Sequence, residues 1–158
     1  MNSYGQINEA SSNLKIQASK MGTAFISGDY EVFAKYTHPE VLKSMGGTSK
    51  MIEVLKRTTN EMKAKGMSFS SITFDEPSKV VKSGKELQAT IIQHTEIRLQ
   101  NGRLVSTSTL IAISKDEGVN WTFIDTSNKD IATMRKALPN LSPSIVIPPQ
   151  PPPVRYNN

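Results

Sequence analysis

The chain has no cysteine among its 158 residues. That excludes disulfides, thiol nucleophiles and thiolate metal sites together. It has two histidines, and neither belongs to a ligand-spaced cluster, so a zinc site would need carboxylates drawn from distant parts of the sequence. Aromatic residues make up 6% of the chain and form no stripe on which nucleobases could stack. No apolar run approaches the ~18 residues that cross a bilayer as a helix. The N-terminus is polar and lacks the apolar stretch of a cleavable leader. Gly46-Gly47-Thr48 has neither the spacing nor the lysine of a phosphate-binding loop, and no serine stands in a nucleophile-elbow pattern. No cofactor and no metal are expected.

What is present is ordinary for a globular protein: 37% hydrophobic and 21% charged residues. The length suits one domain, read as residues 1–141, followed by a tail, residues 142–158. The net charge of +5 favours anionic partners in principle. Its distribution does not: Lys50, Lys56, Arg57, Lys63 and Lys65 are spread around one helix, and Lys79, Lys82 and Lys85 fall in a loop region. This reads as a solvated basic surface, with no nucleic-acid partner.

Residues 7–27 have helical period, with Ile7, Ala10, Leu14, Ala18, Met21 and Phe25 on one face. Gly28 ends that helix, and Asp29 caps a second that stops before Pro39. Pro39 to Met45 reads as either a helical turn or a short strand. Thr48 or Ser49 is expected to cap a third helix reaching about Lys65, with Ile52, Leu55, Thr59 and Met62 inward. Met67 to Phe74 alternates as a strand whose buried side the pattern leaves open. Lys79 to Val81 reads as a brief strand before Ser83-Gly84. Ser127 to Asp130 resembles a capping box for a last helix with Ile131, Met134 and Leu138 inward. The final stretch, from Pro143, holds six of the nine prolines and favours polyproline II, as a linker or a strap laid on the surface.

The organising stretch is Leu87 to Thr126, rich in Val, Ile and Thr. Asn101-Gly102 is the strongest hairpin signal in the chain. It predicts three antiparallel strands: Leu87–Gln100, Arg103–Ser114 and Val119–Thr126. With Asn101-Gly102 as the two-residue loop, Gln100 faces Arg103, and Ile91, Gln93 and Thr95 pair with Ala112, Leu110 and Ser108. With residues 115–118 as the next loop, Ala112, Leu110 and Ser108 pair with Trp121, Phe123 and Asp125. One face then carries all nine of these residues. It is apolar at one end and polar at the other, the composition of a small-ligand pocket. The opposite face carries Ile92, His94, Glu96, Thr107, Thr109, Ile111 and Ile124. A single bulge would exchange the faces beyond it.

Several runs resemble the nuclear transport factor two-like, cystatin-like α+β superfamily. They are Ser27-Gly28-Asp29-Tyr30, the segment Tyr36 to Val41, Gly46-Gly47-Thr48 before an amphipathic helix, and Trp121-Thr122-Phe123-Ile124-Asp125. With the residues from Asp130 to Pro148, the chain also resembles small exported proteins of unknown function from Bacteroidetes-type bacteria. The resemblance covers residues 7–126. It implies an α+β fold in which N-terminal helices pack on a curved antiparallel sheet to form a cone with a pocket. It further implies a homodimer meeting through the outer sheet face, and an exported or periplasmic protein whose leader lies outside this sequence. The superfamily includes enzymes and binding modules, and fold alone does not choose between them.

The residues expected to line a ligand pocket are Tyr36, Gln93, Ser108, Trp121 and Asp125. Asp125 is the candidate general base of an isomerase or dehydratase, with Tyr36 or His94 assisting. The competing reading ties Asp125 to loop amides. His94 beside Glu96 suggests a relay, against a plain surface or dimer contact. His38 reads as a solvated loop histidine, and Trp121 as either core or pocket wall. The leading expectation is a binding module for a small apolar ligand or a protein partner, and the remaining one a structural assembly unit.

Overall fold

The computed structural model describes residues 3–158. In chain order the elements are α1 (Ser3–Ser27), α2 (Tyr30–Lys35), α3 (Pro39–Ser44), α4 (Thr48–Ala64), β1 (Ser68–Phe74), β2 (Val81–Ser83), β3 (Glu86–Leu99), β4 (Gly102–Ser114), β5 (Thr122–Asp125), α5 (Ile131–Ala137) and β6 (Val154–Asn157). The fold is α+β, with the N-terminal helices on one face of an open six-stranded antiparallel sheet. Two long strands, β3 and β4, form its centre. The outer edge of β3 carries β1 and β2 end to end, and the outer edge of β4 carries β5 and β6 in the same way.

From Ala10 onward the stripe read from the sequence packs α1 on the sheet, while Ile7 at its start is exposed. Ala10, Leu14, Ala18 and Met21 are buried against Ala89, Ile91, Leu110, Ala112 and Phe123. Gly22 permits the close approach to β1, because a Cβ there would stand 3.1–3.3 Å from Phe74 and Ile72. Gly28, at φ +78°, ends α1. The Asp29 carboxylate then accepts from the Val32 amide and starts α2. Pro39 to Ser44 resolves as helix. The start of α4 differs from expectation: Gly47 is the N-cap, and no side chain caps that end.

Both predicted registers are displaced by two residues. In β3–β4, Leu99 pairs with Gly102, so the loop is Gln100-Asn101, and Ile91, Gln93 and Thr95 face Leu110, Ser108 and Ser106. Gly102 serves a different need from a turn. It sits at φ +146°, and a Cβ on it would come 2.1 Å from the Tyr156 carbonyl oxygen of β6. In β4–β5, Leu110 faces Asp125 and Ala112 faces Phe123. The connecting loop is longer than four residues because its side chains build it. Asp116 Oδ1 accepts from the Ser114 hydroxyl and the Asn120 amide, and Ser114 Oγ accepts from the Gly118 amide. A shift of two keeps every side chain on its face, since the strand period is two.

The open question in β1 is answered by a bulge between Phe69 and Ser71. Without it, Phe69 and Ile72 would point to opposite faces. With it, both face the helices.

The outer face is partly covered by the chain's own C-terminal segment. Ile111, Ile113 and Ile124 pack with Met134 of α5 and with Leu138, Leu141 and Ile145. Buried Gln88 accepts from the Ser142 amide at 2.8 Å and donates to the Asn140 carbonyl at 3.0 Å. The Arg135 guanidinium donates to the carbonyls of Leu141 and Ser142 at 3.1 Å. After the prolines, β6 pairs with Gly102–Val105, and Arg103 stacks over the Tyr156 ring at 4.6 Å. Gly102→Ala is therefore expected to detach β6. Amide exchange of residues 154–157 should rise about tenfold or more while the centre of β3 stays protected. Unchanged exchange in that segment would show that the close approach is not needed.

Candidate binding cavity

Along the helix-facing side of the sheet the sequence changes character. At the Ala89/Ala112 end the residues are apolar, and Trp121 closes the core. Toward the hairpin they become Gln93 and Thr95 on β3 and Ser106 and Ser108 on β4. These side chains are too small to fill the space beneath α4. The result is a cavity of about 410 Å³ between the sheet, α1 and α4, within the range of small-molecule sites. Its apolar wall comes from Met21 and Phe25 of α1, Met51 and Leu55 of α4, and Phe69 and Ile72 of β1. Leu110 and Phe123 form part of the sheet wall.

The polar lining is sparse. Gln93 Nε2 donates to Ser108 Oγ at 3.4 Å. Asp125 and Gln150 are the exposed members of the lining and mark its mouth. Asp125 Oδ1 accepts from the Ser127 amide at 2.9 Å and the Ser127 hydroxyl at 2.6 Å. Oδ2 accepts no hydrogen bond among the described residues. Among the described residues no lysine, arginine or histidine lines the cavity, and Asp125 is the one charged group in its lining.

Of the five residues expected at a pocket, Gln93, Ser108 and Asp125 meet here. Tyr36 lies instead at a surface groove on the solvent side of α1, near Lys15, Ile16 and Glu76. Trp121 is core. It is 1% exposed, and its Nε1 donates to the carbonyls of Ala10 and Gly118, both at 3.1 Å.

His94 is on the opposite side of the sheet. Its partners are Asp75, with Nε2 to Oδ1 at 3.0 Å, and Thr107, with Nδ1 to Oγ1 at 3.2 Å. Glu96 turns instead toward Arg103 at 4.0 Å. Asp125, Tyr36 and His94 are thus not brought together. The acid–His–hydroxyl row stands on a half-exposed sheet face, where water competes for each bond.

His38 is buried, contrary to the solvated reading. Its Nδ1 accepts from the Glu40 amide at 3.1 Å and caps α3, while its own amide donates to the Phe123 carbonyl. Burial lowers its pKa from 6.5 and nearby Lys115 lowers it further, against raising contributions from Glu86 and Glu40. Below pH 6.5 the unfolded chain takes up a proton that the folded chain does not yet bind, so stability falls as pH drops from 6.5 through the folded-state value. His38→Asn, which keeps a capping acceptor, is expected to flatten the loss of urea midpoint between about pH 7 and pH 5. An unchanged slope would assign that loss to other groups.

Sequence reasoning missed the methionines Met21, Met45 and Met51 as a shared wall, and Gln150 altogether. The first needed the relative placement of three helices. The second depends on where a proline-rich strap crosses the body, since no local pattern marks it. Among the described residues no group of three or more histidine, cysteine, aspartate or glutamate side chains is placed to hold a metal ion, and no helix is long and apolar enough to cross a membrane. Compared with protein-family models, with curated proteins and with solved structures, the chain matches none.

Proposed function

We propose that the protein is a binding module that holds a small apolar molecule between its helices and its sheet. The observation that carries this reading is the cavity of about 410 Å³, walled by methionine, phenylalanine and aliphatic side chains. Its few polar groups lie mostly on the sheet and at the mouth, with Thr37 on the helical side. Methionine adapts its shape to varied apolar ligands, which suits a site selecting for size and apolarity. The helix-on-sheet arrangement agrees with the nuclear transport factor two-like plan that the sequence resembles.

The alternative, an isomerase or dehydratase using Asp125 as base, has less support. A base of that kind works from an apolar enclosure with a second polar group in reach. Asp125 is exposed, and one of its oxygens is engaged by Ser127.

Titration with N-phenyl-1-naphthylamine, a neutral fluorophore, tests the binding reading. Saturable enhancement with one site per chain is expected, at micromolar affinity or better. Fluorescence that rises only in proportion to unfolding would contradict it.

A further inference from the structure

We infer that the mouth of this cavity selects its ligand by charge and takes an amphiphile with a cationic, amine-type head in preference to a carboxylate or phosphate. The inference rests on the binding function proposed above and specifies its ligand class.

The chain as a whole is basic, at +5, yet among the described residues no cation lines the cavity, and the one charge in its lining is the carboxylate of Asp125. That carboxylate is held in place. The amide and hydroxyl of Ser127 fix Oδ1 at 2.9 and 2.6 Å, which leaves Oδ2 as an oriented acceptor at the rim. Beside it Gln150, brought by the proline strap, places its Oε1 3.4 Å from the Asn128 amide. The interior polar groups are amide and hydroxyl side chains: Gln93, Thr95, Ser106 and Ser108 on the sheet, and Thr37, whose hydroxyl donates to the Phe33 carbonyl. An apolar tail among the methionines and phenylalanines would lie inside, with its head at Asp125. A carboxylate head placed there would meet a like charge, with no cation among the described lining residues to offset it. An ammonium head would gain a charge-assisted hydrogen bond to Oδ2.

The test is displacement of N-phenyl-1-naphthylamine by three ligands of one chain length, n-decylamine, n-decanol and decanoate. It is run near neutral pH and physiological ionic strength, where charges beyond ~8 Å are screened. The expected order is amine tightest and carboxylate weakest, with about tenfold between them, the scale of one partly exposed charge counted as attraction and again as repulsion. Asp125→Asn keeps an acceptor for Ser127, and the ratio should collapse toward one. The net charge of the whole chain favours the reverse order, so decanoate binding as tightly as decylamine, or a ratio unchanged in Asp125→Asn, overturns the inference while leaving the cavity a binding site. Failure of the neutral fluorophore to bind removes the binding function, and the inference falls with it.

Discussion

Trp121→Ala is expected to destabilise the protein by about 3–5 kcal/mol, the range for deleting a buried large aromatic side chain. Marginal stabilities run about 5–15 kcal/mol, so this one change could remove much of the total. Trp121 joins three parts of the chain that are distant in sequence. Its ring packs in the cluster that contains Leu14, Ala18, Ala89 and Ala112. Its Nε1 donates to Ala10 of α1 and to Gly118 of the β4–β5 loop, and its amide donates to Gln17 Oε1 at 2.8 Å. Gly118 itself presses on α1, since a Cβ there would come 2.3 Å from the Ala10 Cβ. Trp121→Phe should cost less, because most of the volume stays and Asn13 Nδ2 still donates to the Gly118 carbonyl at 3.0 Å. Urea midpoints at pH 7 measure both. A loss below about 1 kcal/mol for the alanine variant would mean that the surroundings collapse into the space, and that α1 is held chiefly by other contacts.

Ser108→Trp is expected to lower the affinity for a neutral apolar ligand by at least about tenfold, roughly 1.4 kcal/mol. Ser108 stands half-buried in the middle of β4, facing Gln93 across the pair. Its side chain points into the cavity rather than against a packed neighbour. An indole at this position occupies the space a ligand would use and meets Met51 and Leu55 from below. Overpacking a filled core costs about 1–3 kcal/mol. Filling an existing hollow should cost less, so the urea midpoint should stay near the parent value while binding is lost. Undiminished binding would place the ligand elsewhere.

Much of this architecture was legible because it rests on periodicity. Ala10, Leu14, Ala18 and Met21 recur at helical spacing, and they are the buried stripe of α1. Asp29 stands where free helix amides need an acceptor and accepts one, whereas the last helix starts three residues later than a capping box over Ser127–Asp130 implies, with Asp130 itself as the cap. The inner face of β3 and β4 was also legible, even though the register was read two residues away from the observed one. The side-chain period of two makes the face insensitive to that error. Asn101-Gly102 misled because the glycine answers a contact made by residues more than fifty positions away. The bulge in β1 and the long Ser114–Trp121 loop come from cross-strand and loop hydrogen bonds that no local pattern announces.

The candidate site divides in the same way. Gln93, Ser108 and Asp125 follow from strand alternation. Tyr36 and Trp121 needed knowledge of where the helices lie, and they fall outside the cavity. His38 was misread because its burial comes from the pairing of Thr37 with Phe123, a bridge between segments far apart in the chain. The partner of His94 was not legible for a comparable reason. Asp75 reaches it from just past the end of β1, whereas Glu96, two residues away on the same strand, does not.

Occupancy of the cavity is read most directly from the methionine methyl groups. The chain has seven methionines, and Met21, Met45 and Met51 line the cavity, while Met134 packs on the other side of the sheet. With selectively labelled methyls, N-phenyl-1-naphthylamine should shift the resonances of Met21, Met45 and Met51 saturably through its ring currents and leave Met134 in place. Shifts confined to Met134, or none at any of the three as the fluorophore is added, would contradict binding in the cavity.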